Sequence, residues 1–106
     1  VGIAKKALQG SNIQVASVAT AFPSGQSNIE AKISDTKFAV DQGADEIDMV
    51  INVGILQSGN NDYVEDEILA IKKACGDKIL KVIIETCYLT KDEKRTAWQL
   101  AMNAGA

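Results

Sequence analysis

Three short runs rich in β-branched and apolar residues alternate with longer stretches of helical period along the chain. The first run, Ile13 to Thr20, stops at Phe22-Pro23-Ser24-Gly25, a loop signal. Behind it, Ser27-Asn28-Ile29-Glu30 fits a capping box with Ser27 at the N-cap. Ile29, Ile33, Val40 and Ala44 then recur at helical spacing, so one apolar stripe faces a sheet, and Gly43 is the expected stop. The second run, Glu46 to Ile51, leads into a loop through Gly54 and Ser58-Gly59-Asn60-Asn61. Val64, Ile68, Ile71 and Cys75 mark the next helix, which Gly76 ends. The third run, Ile79 to Glu85, precedes a second capping box, Thr90-Lys91-Asp92-Glu93, and Ala97, Leu100, Ala101 and Ala104 carry the last helix to Gly105.

The pattern predicts strands near 13–20, 46–51 and 79–85, and helices near 1–9, 28–43, 62–75 and 91–104. Strand starts recur at roughly 33 residues, the period of one βα unit in a barrel of about 250 residues. The expected fold class is therefore α/β: about three consecutive βα units with a parallel sheet, a single partial TIM (β/α)8 barrel domain over 1–106. Three units cannot close a barrel of eight. The dipeptide Gly43-Ala44 leads into the second strand, and Gly105-Ala106 repeats it at the end of the chain. The expectation is a piece of a longer polypeptide, with strands lacking on both sides.

Composition narrows the chemistry. A net charge of -3 and the absence of any basic run argue against nucleic-acid or anionic-membrane partners, which reward a basic face. The chain has no histidine, and Cys75 and Cys87 lie at no metal-ligand spacing, so neither a zinc site nor a His-based mechanism is expected. Two thiols without a secretory apolar segment point to a reducing, cytoplasmic setting.

Strand residues alternate between faces. Ile47, Met49 and Ile51 share one face of the second run, and Leu80, Val82 and Ile84 one face of the third; these suit the helix stripes. Asp48, Lys81 and Glu85 then point to the barrel interior, where a charge costs several kcal/mol unless paired or put to use. Two readings stand side by side. Asp48 and Lys81 neutralise each other as a buried ion pair on adjacent strands, or they belong to a proton-relay site at the carboxyl end of the barrel. Ser24-Gly25-Gln26-Ser27 could cradle an anion but reads better as a simple turn. Cys87 lies just past the third strand, while Cys75, Tyr63 and Trp98 are expected to pack.

Three stretches carry a resemblance. Val15 to Gln26 (VASVATAFPSGQ), Gly43 to Asn52 (GADEIDMVIN) and Leu80 to Thr86 (LKVIIET) together resemble the deoxyribose-phosphate aldolase family, in order and at the right separations across nearly the whole chain. The second stretch is the most specific. The resemblance implies a TIM barrel that reversibly cleaves 2-deoxyribose 5-phosphate to glyceraldehyde 3-phosphate and acetaldehyde through a lysine imine, with no metal or organic cofactor. It implies proton transfer at Asp48 and a supporting electrostatic or hydrogen-bonding role for Lys81. The family's imine lysine, a second lysine that tunes it, and the phosphate-binding amides would fall beyond Ala106. The chain alone is then expected to be inactive, with a small sugar phosphate as the partner and a homo-oligomer as an open option. Two alternatives remain at this stage: another imine-forming or sugar-phosphate barrel enzyme, and a self-contained small α/β binding module.

Overall fold

A computed structural model describes residues 1–106. The strands are β1 (Ala16–Val18), β2 (Glu46–Val50) and β3 (Ile79–Ile83), and they form one parallel sheet in the order β1-β2-β3. The α-helices are α1 (Gly2–Ala7), α2 (Ile29–Asp41), α3 (Val53–Gln57), α4 (Asn61–Cys75) and α5 (Lys91–Asn103), with a 3-10 turn over Thr86–Tyr88. β1 and β2 are each followed by a helical crossover to the next parallel strand, the βαβ arrangement that the alternation predicts.

The core lies between the sheet and its helices. Ile47, Met49 and Ile51 from the second strand and its exit, with Leu80 of β3, pack against Val64, Ile68, Ile71 and Cys75 of α4 and against Ala97 and Leu100 of α5. The four-three-four spacing on α4 puts all four of its apolar residues on one side, and all are buried. Thr90 and Glu93 form the expected capping box at the start of α5.

The chain departs from its sequence pattern in several places. First, β1 holds only three ladder residues rather than the eight of 13–20, and Ile13 is exposed. Thr20 and Ala21 take positive φ values of 69° and 60°, which turns the chain out of the sheet. Second, Asn28, not Ser27, caps α2: its side chain accepts a hydrogen bond from the Ala31 amide at 2.7 Å. Third, the expected loop after β2 contains α3, capped by Asn52, whose side chain accepts from the Ile55 amide. Fourth, β3 ends at Ile83, and Glu85 sits in a left-handed conformation at φ 55° instead of continuing the strand.

The stripe on α2 also differs. Ile33 and Val40 are only partly buried against the core, whereas Lys32, Thr36 and Ala39 are the residues fully enclosed. No helix is long and apolar enough to cross a membrane.

Candidate active site

The register of the sheet decides which charges meet. Asp48 stands directly across from Lys81, and Glu46 across from Ile79, so Lys81 is flanked by two carboxylates that share one face of β2 by their i, i+2 spacing. Lys81 Nζ lies 2.9 Å from Asp48 Oδ1 and 2.8 Å from Glu46 Oε2. The opposite faces of both strands are covered by helices, so this face is the one that would look into a barrel.

The side chains of Lys81 and Asp48 are 46% and 26% exposed on this face of the sheet, which the helices of these 106 residues leave uncovered. Asp48 Oδ1 is itself shielded from solvent, yet no hydrogen bond is aligned on it; the lysine reaches it as an off-line charge contact. That oxygen lies 2.9 Å from the positive charge of Lys81.

The two carboxylates hold Lys81 protonated above its ordinary range. Glu46 contributes most and Asp48 next, against a smaller opposing effect of lost hydration. An amine must be neutral to attack a carbonyl, so Lys81 is suited to act as a cation and unsuited to act as an imine-forming nucleophile. Glu46 is the member of this cluster that sequence analysis did not single out, although its position on the Asp48 face was the available signal.

Beyond the carboxyl ends of the strands lies a cavity of about 470 Å³, lined by Pro23, Ser24, Gln26, Gln57, Glu85 and Tyr88 among others. Glu85 reaches it by leaving the strand, so it joins the mouth of the site and not the Asp48–Lys81 layer. The Ser24–Gln26 loop is a turn: the Ser24 and Gly25 amides both donate to the Ala21 carbonyl, and the Gln26 amide donates to Ser24 Oγ. Those amides are engaged, which leaves them no role in cradling an anion.

Cys87 is exposed, its thiol 3.9 Å from Glu85 Oε1, and Cys75 is buried. Trp98, expected to pack, is 59% exposed on α5. No group of three or more Cys, Asp or Glu side chains converges as a metal site would require.

A second charge pair escaped the sequence reading altogether. Lys32 of α2 and Glu67 of α4 have fully buried side chains and meet at 2.6 Å. Position 67 lies within the Val64–Ile68–Ile71 stripe, but nothing in the sequence marks position 32 as its partner.

A parallel sheet with its helices on one side, a lysine between two carboxylates on the other, and an open cavity at the strand carboxyl ends have the layout of a section of a (β/α)8 barrel. The chain belongs to the DeoC/LacD family of aldolases, whose family model matches residues 2–105. It is 51% identical over 105 residues to a deoxyribose-phosphate aldolase of Streptococcus equi subsp. zooepidemicus, covering 99% of this chain and 47% of that protein. It is 50% identical over 106 residues to one of Clostridium botulinum, covering 100% of this chain and 50% of that protein. The chain thus spans about half the length of these curated relatives. A crystal structure from Coccidioides immitis, provisionally described as a deoxyribose-phosphate aldolase, superposes with a TM-score of 0.96 at 38% identity, over 99% of this chain and 41% of that one. A tetrameric deoxyribose phosphate aldolase from Aeropyrum pernix gives 0.78 at 25% identity, over 99% and 42%.

Proposed function

We propose that the gene product carrying this chain is a lyase that reversibly cleaves 2-deoxyribose 5-phosphate to glyceraldehyde 3-phosphate and acetaldehyde through a lysine imine, and that residues 1–106 are part of its single barrel domain. The observation that carries this reading is the Asp48–Lys81 contact across β2 and β3, on the uncovered face of a sheet that matches the aldolases in sequence and in fold.

The chemistry assigns roles. With the sugar's C1 held as an imine, cleavage of the C2–C3 bond sends its electrons toward the imine nitrogen, and the proton of the C3 hydroxyl must leave to a base. Asp48, whose Oδ1 accepts no aligned hydrogen bond although Lys81 lies 2.9 Å away, is the group proposed to take that proton and return it in the synthetic direction. Lys81 supports it as the adjacent cation and, being held protonated, is not the nucleophile. Lys32 is no better placed for attack, because it is buried and paired with Glu67. The resemblance puts the imine lysine beyond Ala106, and the state of these two lysines supports that placement. The 106 residues alone are then inactive.

Borohydride reduction in the presence of acetaldehyde tests the reading. The gene product should gain one covalent adduct, and the isolated 106-residue chain none. An adduct on Lys81 would overturn the assignment, and turnover of ketose phosphates in preference to deoxyribose phosphate would move the activity to another sugar-phosphate aldolase. Assembly into a homo-oligomer is proposed from the tetrameric relative, and a cytoplasmic setting from the two free thiols.

A further inference from the structure

The buried Lys32–Glu67 pair has no part in the chemistry above, and stability does not account for it. A buried ion pair is commonly no more stabilising than well-packed apolar residues of similar volume, because both charges lose their hydration. Lys32 does something an apolar residue could not. Besides Glu67 Oε1 at 2.6 Å, its Nζ donates to the Gly25 carbonyl at 2.5 Å.

That carbonyl belongs to the loop between β1 and α2. The loop leaves the sheet through two residues in the left-handed region, Thr20 and Ala21, an unfavourable conformation for side chains other than glycine. It therefore has to be held in place, and α2 holds both of its ends. At the start, Asp35 Oδ2 accepts the Thr20 amide at 2.8 Å; at the finish, Lys32, one turn earlier on the same helix, donates to Gly25. Glu67 reaches across from α4 to supply the counter-charge. The residues on either side of Gly25 are those that face the cavity: Pro23, Ser24 and Gln26 form its wall on the β1 side.

We propose that Lys32 is a positioning residue, which fixes the Pro23–Gln26 wall of the cavity through the Gly25 carbonyl, with Glu67 neutralising its buried charge. The holding of the loop rests on geometry alone. Its consequence for substrate rests on the aldolase reading above. A wall displaced by loss of this contact meets the substrate before any bond changes, so the effect falls on KM more than on kcat.

The test uses the gene product with both charges removed together, Lys32→Met with Glu67→Leu, so that no lone charge stays buried. Amide exchange is followed at residues 24–28 and 46–50, alongside the urea midpoint and the kinetics with deoxyribose 5-phosphate. The loop amides should exchange roughly tenfold to a hundredfold faster, the loss expected for a charged hydrogen bond, while the β2 amides and the midpoint hold. KM should rise about tenfold with kcat within about twofold. A second variant, Lys32→Gln with Glu67→Gln, keeps the site polar but makes the side chain at 32 one atom too short for Gly25, and should release the loop equally.

Loop exchange at the wild-type rate in either folded variant overturns the proposal. So does released exchange with KM unchanged. If the wild-type protein does not turn over deoxyribose 5-phosphate, the aldolase reading fails, and the exchange measurement still decides whether Lys32 holds the loop.

Discussion

Gly25 offers a direct measure of how closely the cavity wall sits on the sheet. A methyl group added there would overlap the Ile51 carbonyl oxygen, lying 2.8 Å from the Ile51 carbonyl carbon and 2.9 Å from the Val50 oxygen. All three are backbone atoms at the end of β2, which cannot swing aside as a side chain would. To reach ordinary contact at 3.4 Å the loop and the strand end must part by more than half an ångström. Gly25 also has φ +66°, so alanine there carries the left-handed cost of about 1–2 kcal/mol as well. Overpacking of this kind adds about 1–3 kcal/mol, which gives about 2–5 kcal/mol for Gly25→Ala. Gly59 supplies the control: its φ is +82°, and an added methyl would meet nothing within 4 Å, so Gly59→Ala should cost only the conformational part. Urea denaturation of both variants, compared at unchanged m-value, isolates the steric part as their difference. If Gly25→Ala proves no more destabilising than Gly59→Ala, the loop does not rest on the strand end as described.

Asp48→Asn should keep the fold and lower kcat about 10²- to 10⁴-fold, since it removes a proton acceptor at nearly constant volume; near-normal turnover would remove Asp48 from the mechanism. At the other end of the sheet Lys5 grips Asp45 at 2.6 and 2.7 Å, and this contact first, the Val15 amide second, holds the Asp45 carboxyl below its usual value of 3.8. A lowered folded-state pKa gives stability that is present above pH 3.8 and lost as pH falls through the folded value. The stability difference between wild type and Lys5→Met should therefore vanish in strong acid, and a difference independent of pH would refute the pairing. Burial pushes the Cys75 thiol up while Cys87 is exposed, so one thiol should react with a disulfide reagent in the native protein and the second only in urea. Two fast thiols in the native state would contradict the packing of α4.

What could be read in the sequence was what a period can express. Successive strand side chains point to opposite faces, so Ile47, Met49 and Leu80 could be assigned to the core and Asp48 and Lys81 to the other face. The same holds for α4, whose stripe is nearly pure. Short or polar devices were beyond that reach. The five residues of α3 are too few to display a helical stripe, and the Asn52 cap is indistinguishable in sequence from a loop asparagine. On α2, Asn28 competes with Ser27 as a cap, and the choice depends on which side chain meets the Ala31 amide. No period announces Lys32 and Glu67 as a pair, since a lysine and a glutamate are ordinarily solvated; only the packing of α2 on α4 makes each the other's neighbour.

The inner charge cluster and the fold are bound to one another by the register. Sliding β3 by one residue against β2 would turn its whole set of side chains over, placing Lys81 beneath α4 and α5 and Leu80 on the open face. That exchange puts an ammonium into a core made of Ile47, Met49, Ile68 and Ile71, and leaves Asp48 and Glu46 facing each other without a counter-charge. Hydrophobic burial on one face therefore enforces the position of the charges on the other, with no need for the ion pair to be strongly stabilising itself. The contact between Asp48 and Lys81 therefore does not have to hold the sheet together; the apolar face does that, and the register carries the charges into place with it.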